Sequence, residues 1–391
     1  MNKQNWTYKK LGEVGSVIGG STPKTDVPEF WNGEFAWITP AELDGSKYVS
    51  STIRTITEKA VSKTNLTLLP VGTVLLSSRA PIGKVCITKI PMYCNQGFKN
   101  IVCSDELNNE FLYWWLKGKS DFLNSLGVGA TFKEISKRMV EQIVVPVPPL
   151  ATQSRIVSEL DLLQSLIDKQ KAQLKEYDTL AQSIFYDMFG DPVENEKGWE
   201  VNRLGDLCDV TSSKRIFAEE YVERGVPFYR SKEVIERSKG LPISVELFIS
   251  EERYRDVKDK FGVPVVGDIL VTAVGTIGKI WTVNIKDPFY FKDGNVVWLR
   301  KINKEMVDSD YFRASLILLV EEYKKVNANG AAYNALTIAK LKDMQCVLPP
   351  LSLQQTFATK IELIEKQKTA ISKSIAETQK LFDYTMDKYF G

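Results

Sequence analysis

The side chains best placed to do chemistry in this sequence are cations, amides and hydroxyls held in glycine- or serine-rich turns. In the first half they are Lys24 in GGSTPKT, Thr39 and Glu42 in ITPAEL, Ser78 and Arg79 in SSRAP, Gln96 and Lys99 in NQGFK, and Thr131 and Lys133 in GATFKE. In the second half they are Lys214, Arg215, Arg230, Lys232, Lys292, Asn295, Asn329 and Asn334. Such groups suit hydrogen bonding to planar polar edges and anions; Arg79, with its fork of donors, is suited to bidentate contact or to a phosphate. Each also has a plainer role, since an exposed lysine or arginine in a loop usually keeps a protein soluble.

Acid–base and metal chemistry have little to work with. The chain contains no histidine, which removes the commonest general base and metal ligand. The string Gly275–Ile280, GTIGKI, contains Gly-Lys, but a phosphate-binding loop needs four residues between its first glycine and Gly-Lys, then serine or threonine. Its counterpart Pro81-Ile82-Gly83-Lys84 marks it as a repeated structural turn. Asp287-Pro288-Phe289-Tyr290 lacks the second proline of an amino-methyltransferase loop, and no HExxH or GxSxG is present. Five cysteines, Cys86, Cys94, Cys103, Cys208 and Cys346, form no CxxC pair and fit buried thiols of a reducing compartment. No metal site or cofactor is expected. Without a long apolar span or an apolar segment after MNKQNWTYKK, a soluble cytoplasmic protein is expected, with no membrane association.

The elements that would position these turns are written twice. Trp6, Leu11, Gly12 and Glu13 recur as Trp199, Leu204, Gly205 and Asp206, 193 residues later. GTVLLSSRAPIGKV at Gly72–Val85 resembles GDILVTAVGTIGKI at Gly267–Ile280, and FLYWWL at Phe111–Leu116 answers YFRASL at Tyr311–Leu316. Pro148-Pro149-Leu150 and Phe189-Gly190 recur as Pro349-Pro350-Leu351 and Phe390-Gly391, both at an offset of 201. Landmarks kept in order identify an internal duplication. Residues 1–150 and 191–350 read as two mixed α/β domains. Apolar runs at Leu66–Ser77 and Val263–Val274, broken by glycine turns, predict strand–turn–strand, and Phe111–Leu126 and Tyr311–Val326 predict helices. The tryptophans Trp31, Trp37, Trp114, Trp115, Trp281 and Trp298 lie in apolar runs and are expected in the cores.

Residues 151–190 and 351–391 are different. From Gln153 to Met188 there is neither proline nor glycine, and Ile156, Leu160, Leu163, Ile167, Gln170, Leu174, Tyr177, Ala181, Ile184 and Met188 keep heptad spacing. Phe357, Ile361, Ile364, Lys368, Ile371, Ile375, Thr378, Phe382, Thr385 and Tyr389 repeat the phase. A lone helix with such a stripe is unstable, so the two are expected to pair, antiparallel, with Gln170 and Lys368 either fixing the register or simply loosening it. A 36-residue helix spans roughly 54 Å, about 16 base pairs of B-DNA. The expected architecture is α+β: two mixed α/β domains joined by two long helices in an antiparallel coiled coil, with an internal pseudo-two-fold repeat. Two unlike heads held at a fixed distance would suit a split, asymmetric target.

With these motifs on the page, the chain resembles the specificity subunits of type I restriction–modification systems. WTYKKLGEV, GGSTPKT, EFWNGEFAWITPAEL, LLSSRAPIGKV, NQGFKN and GATFKEISK are similar to the family's first-type target-recognition pattern. WEVNRLGDLC, TAVGTIGKI and KDGNVVWL fit more loosely in the second copy, which has no clear GGSTP or ITPAEL. The resemblance implies a non-catalytic subunit that binds double-stranded DNA through two target-recognition domains. It further implies docking of two modification (adenine methyltransferase) subunits on the helices, and association with restriction/translocase subunits. On that reading the turn residues above are the candidate DNA contacts. The charge is near balance, 51 basic against 49 acidic side chains. Residues 1–150 carry 17 basic and 13 acidic groups, net +4, and residues 191–350 carry 24 and 25, net −1. A partner would then supply part of the phosphate neutralisation. Two competing readings are a duplicated coiled-coil adaptor that does not touch DNA, and a carboxylate–metal nicking or modifying enzyme.

Overall fold

The computed structural model describes residues 6–79, 81–129, 133–327 and 335–391. The chain divides into two compact units: Met1–Lys171 with Lys373–Gly391, and Ala172–Ser372. Four helices frame it: α1 (Asn109–Lys117), α2 (Leu150–Phe189), α3 (Ser309–Asn327) and α4 (Leu351–Phe390). At 40 residues, α2 and α4 each exceed the proline- and glycine-free window by beginning at Leu150 and Leu351, directly after the Pro-Pro pairs.

In the first unit a five-stranded sheet runs Gly15–Gly19, Lys99–Cys103, Val74–Leu76, Val85–Thr88, Tyr48–Val49, antiparallel except for the last pair. A three-stranded sheet joins Arg54–Ile56, Trp31–Ile38 and Tyr93–Cys94. A ribbon pairs Thr7–Lys10 with Val144–Val147, tying the start of the first copy to its end. The second unit repeats the ribbon with Glu200–Arg203 and Gln345–Leu348. It carries a four-stranded antiparallel sheet, Asp209–Thr211, Val296–Arg300, Ile269–Thr272, Ile280–Thr282. A second four-stranded sheet is Tyr221–Val222, Phe248–Ile249, Val226–Tyr229, Tyr290–Phe291.

Two expectations change. The strand–turn–strand predicted within Leu66–Ser77 and Val263–Val274 is a single strand in each, Val74–Leu76 and Ile269–Thr272, and the hairpin lies downstream. Upstream, Leu69 makes only an isolated bridge to Met92. The helix predicted over Phe111–Leu126 breaks at Gly118 into α1 and Ser120–Ser125, whereas α3 is continuous where Leu318 replaces that glycine. A Cβ at Gly118 would lie 2.8 Å from Cε of Met386, so a side chain there would push the tip of that methionine aside.

The helical stripe is buried within each unit. In the first, Ile156, Leu160, Ile167, Phe382, Tyr389 and Phe390 join one core, with Leu163, Ile375 and Met386 packed against it. Contacts descend along α4 as they ascend α2: the Tyr389 hydroxyl donates to Glu159 at 2.5 Å, and Gln170 donates to Ser374 at 2.7 Å. In the second unit Lys368 pairs with Asp178 at 2.8 Å, and the Phe185 ring packs on that of Phe357, 5.7 Å between centroids. Within each unit the paired segments are therefore antiparallel. Phe357, Ile361 and Ile364 are buried there against Phe185 and Phe189, with Ile184 partly covered. Leu174 and Ile371 remain half-exposed. Phe185 and Phe189, outside the heptad stripe, are the most deeply buried α2 residues of this unit because they face Tyr311 of α3 as well as Phe357 of α4.

Both helices are fixed at their origins by a residue that heptad reasoning passes over. Gln153, fully buried, accepts from the Asn108 N–H (2.7 Å) and donates to the carbonyls of Glu106 (2.9 Å) and Pro148 (2.8 Å). Gln354 repeats the set with the Asp308 N–H (2.8 Å), Met306 (3.1 Å) and Pro349 (2.8 Å). One side chain thus satisfies three backbone groups where the Pro-Pro segment, the loop before α1 or α3 and the long helix meet.

The six tryptophans expected inside are buried, as are Cys86, Cys94, Cys208 and Cys346. Burial pushes the Cys94 and Cys208 thiols up to about 12, and a thiol held protonated is a poor nucleophile.

Candidate nucleic-acid interface

The site is built on one turn, made twice. Ser77 follows the strand Val74–Leu76, and its hydroxyl donates to the Pro81 carbonyl (2.8 Å) while accepting from the Lys84 N–H (2.8 Å). Thr272 does the same with the Thr276 carbonyl and the Lys279 N–H (2.9 Å). Gly83 and Gly278 close the turns with φ of +91° and +80°, a region that favours glycine. The next residue also has one role in both units. Ser78 donates its N–H to Gly97 and accepts from Ile135; Ala273 donates to Asn295 and accepts from Leu336. This places the backbone at Ser78, Gly97 and Ile135 side by side in the first unit, and that at Ala273, Asn295 and Leu336 in the second.

In the first unit these stretches carry Arg79, Gln96, Lys99 and Glu134. Glu134 accepts from Arg79 Nε (3.0 Å) and Lys99 Nζ (3.1 Å). Burial works to raise its carboxyl, but the two cations outweigh it and hold the group below its ordinary range. Gln96 accepts from Thr22, bringing up the GGSTPKT loop, which two indoles anchor: Trp37 to the Ser21 carbonyl and Trp31 to the Lys24 carbonyl, both 3.1 Å. Lys24 and Lys133 are exposed. Arg54, which sequence spacing did not single out, lies exposed over the Trp31 ring, 3.6 Å from its centroid. The strand it stands on is the only local signal for it.

Three first-copy candidates have other work. Ser78 is wholly buried, so its hydroxyl cannot face solvent; it receives Lys99 Nζ at 3.3 Å. Thr39 and Glu42 form a capping box, Glu42 accepting from the Thr39 N–H (2.9 Å) and hydroxyl (3.0 Å), and from the Ile53 N–H (2.8 Å). Their polar atoms shape the ITPAEL turn. Thr131 lies outside the described residues, as do Asn329 and Asn334.

The second unit gathers a different set. Lys214 and Arg215 are exposed; the Lys214 N–H donates to the Tyr290 hydroxyl (2.6 Å), and Arg215 pairs with Asp293 (2.7 Å). Lys292 donates its N–H to the Tyr229 carbonyl and Asn295 accepts from Ala273, so both sit half-exposed on the same edge. Arg230 is locked between Glu233 and Glu246, each at 2.9 Å, which pushes its guanidinium even higher, and Lys232 shares Glu246 at 2.7 Å. Because Glu233 is buried, Arg230 is held as the fixed partner of that carboxylate, with part of its side chain still exposed.

Comparison with known proteins defines the class. Residues 3–176 and 196–379 match the family described as type I restriction modification DNA specificity domain. The chain belongs to this family and carries its domain twice. It is 33% identical, over 98% of its length and 92% of the relative's, to the type I restriction enzyme MjaIX specificity subunit of Methanocaldococcus jannaschii. It is 28% identical to a putative type I restriction enzyme specificity subunit of Haemophilus influenzae, over 72% of this chain and 71% of that one. The fold is similar to that of a type I restriction–modification S subunit from M. genitalium (TM-score 0.57, 16% identity, 99% and 96% of the two chains). A chain from work on assembly and conformational transition of the type I R-M system gives a TM-score of 0.60 at 19% identity, over 99% and 97%. No helix among the described residues is long and apolar enough to cross a membrane.

Proposed function

We propose that this specificity subunit reads a split, asymmetric duplex target, one half-site with residues 1–150 and the other with residues 191–350. On this reading residues 151–190 and 351–391 set the gap and dock two modification subunits, to which restriction/translocase subunits add. The chain itself is non-catalytic and acts in the cytoplasm; methyl transfer and cleavage belong to its partners. The observation that carries the reading is the turn built twice with unlike side chains on it: the linked Arg79, Lys99 and Glu134 stand in the first frame, while Val274, Val297 and Ala335 stand at the matching positions of the second. One scaffold carrying unlike side chains at matching positions is what two different half-sites require.

The test is selection of bound duplexes from a random pool by the complex with its modification subunits. Two fixed words separated by a constant unread gap are expected; one uninterrupted word, or no preference, overturns the reading. Arg79→Ala should relax a single position of one half-site, and loss of affinity spread evenly over all sequences would assign Arg79 to phosphate instead.

A further inference from the structure

A groove in the second unit lies where the first unit packs two aromatic rings. It occupies about 510 Å³ between α2, α3 and α4, with Ala181, Phe185, Ala314 and Phe357 among its apolar walls, within the roughly 300–1,000 Å³ range of binding clefts. The duplication shows why it is open. Ala314 of α3 corresponds to Trp114 of α1, and Ala181 of α2 corresponds to Phe382 of α4. In the first unit the Trp114 and Phe382 rings meet edge to face, 5.5 Å between centroids, and fill the equivalent space. Two alanines leave it empty.

The same comparison shows what the space accepts. In the first unit the indole donates to Asp161 (2.9 Å), and Lys47 sits among the rings, 5.7 Å from the Trp114 centroid, with its ammonium on Asp161 (2.6 Å) and near Glu110 (3.6 Å). The second unit keeps carboxylates, with Arg313 near Asp310 but, among the described residues, no lysine bonded to it as Lys47 is to Asp161. Asp310, the counterpart of Glu110, lines the groove and makes no ion pair among the described residues. In all, six carboxylates line the groove against three cations, Arg313, Lys325 and Lys368. Lys325 and Lys368 are already paired, with Glu322 and with Asp178 and Glu365.

We propose that this groove is a docking site for a segment of a modification subunit that presents an aromatic side chain next to a lysine or arginine. The aromatic ring takes the place that Trp114 fills in the first unit, and the cation takes the place of Lys47 beside Asp310. The inference rests on the proposed pairing with modification subunits and adds that the two copies receive them unequally: one seat is closed by the chain's own tryptophan, the other is completed by the partner.

The experiment uses the full-length chain and the purified modification subunit of the same system. Ala314→Trp closes the groove and Asp310→Asn removes the unpaired charge. Calorimetric titration should show one of two binding events weakened at least tenfold by the first change, and a weaker, less salt-sensitive event with the second. A photo-crosslinking residue placed at Ile317, on the groove wall, should capture the modification subunit at a segment containing an aromatic residue and a lysine or arginine. Unchanged affinities with an intact melting temperature overturn the proposal, as does an Ile317 crosslink to a second copy of this chain or to DNA. If Ala314→Trp unfolds the unit, the crosslink alone decides. A wild-type chain that binds no modification subunit refutes the underlying functional reading; binding at two sites that Ala314→Trp leaves untouched refutes only the groove.

Discussion

The two units solve one structural problem with different side chains. Framework bonds are the same in both: the hydroxyl of Ser77 or Thr272 closes the turn, and Gln153 or Gln354 holds the helix origin. What differs is the filling. The first unit packs Trp114 on Phe382 and pins Lys47 to Asp161, whereas the second has alanines and a groove. Bonds to backbone atoms survive divergence of the surrounding sequence; packing that depends on one large side chain does not.

The largest effect that would sharpen this contrast comes from Trp114→Ala. Deleting a fully buried indole and its bond to Asp161 should destabilise the first unit by about 3–5 kcal/mol, while Ala314→Gly should cost the second only about 1 kcal/mol through helix propensity. Denaturant unfolding of the two variants checks it, and equal losses would break the contrast. Next, Gln153→Ala and Gln354→Ala should cost similar amounts, about 1–3 kcal/mol each, since each orphans the same kind of backbone groups; a large inequality would mean the two clamps are not equivalent. Glu134→Gln should act on the first unit alone. It releases Arg79 and Lys99 from a carboxylate, so DNA affinity should rise by a few-fold with a steeper salt dependence. No single change in the second unit has the same geometry, as Val274 and Val297 stand in those places.

The same Glu134 carries a pH signature. Its carboxyl is held below its ordinary range in the folded protein, so its contribution is present above the unfolded value and is lost as pH falls through the lowered one. Acid titration of the wild type against Glu134→Gln should show the difference only on the acid side. The smallest expected effect is at the helix seam. Gln170 donates to Ser374, but its Oε1 is buried without a partner. Gln170→Leu should therefore stabilise the first unit by up to about 1 kcal/mol, measured by thermal melting.

How much of this was legible depended on whether the signal was periodic or geometric. The duplication and the long helices were readable because Pro-Pro-Leu, Phe-Gly and the heptad positions repeat in order, and because burying a stripe such as Ile156–Leu160–Ile167 leaves few alternatives. The break at Gly118 was not readable, since a glycine inside a helical run is often tolerated; that Met386, far away in sequence, packs close to it is set by the fold. Among the site residues, spacing located the turns that carry Arg79, Gln96 and Lys99, but it could not tell a free side chain from one already engaged. Glu42 and Arg230 are engaged by partners that only the fold brings near, Ile53 and Glu246. Phe185 and Phe189 escaped because the heptad marks only the face toward one helix, and α3 adds a second.

The turn around Ser77 and Thr272 carries one more consequence. Its closing bonds use a hydroxyl, a carbonyl and an amide; Ile82 or Ile277 and the glycine after it belong to the frame, while the exposed side chain of Arg79 or Val274 takes no part in those bonds. Mutation can therefore rewrite the displayed letters while the frame keeps its shape, so that a lineage can drift to a new preference without passing through misfolded ancestors.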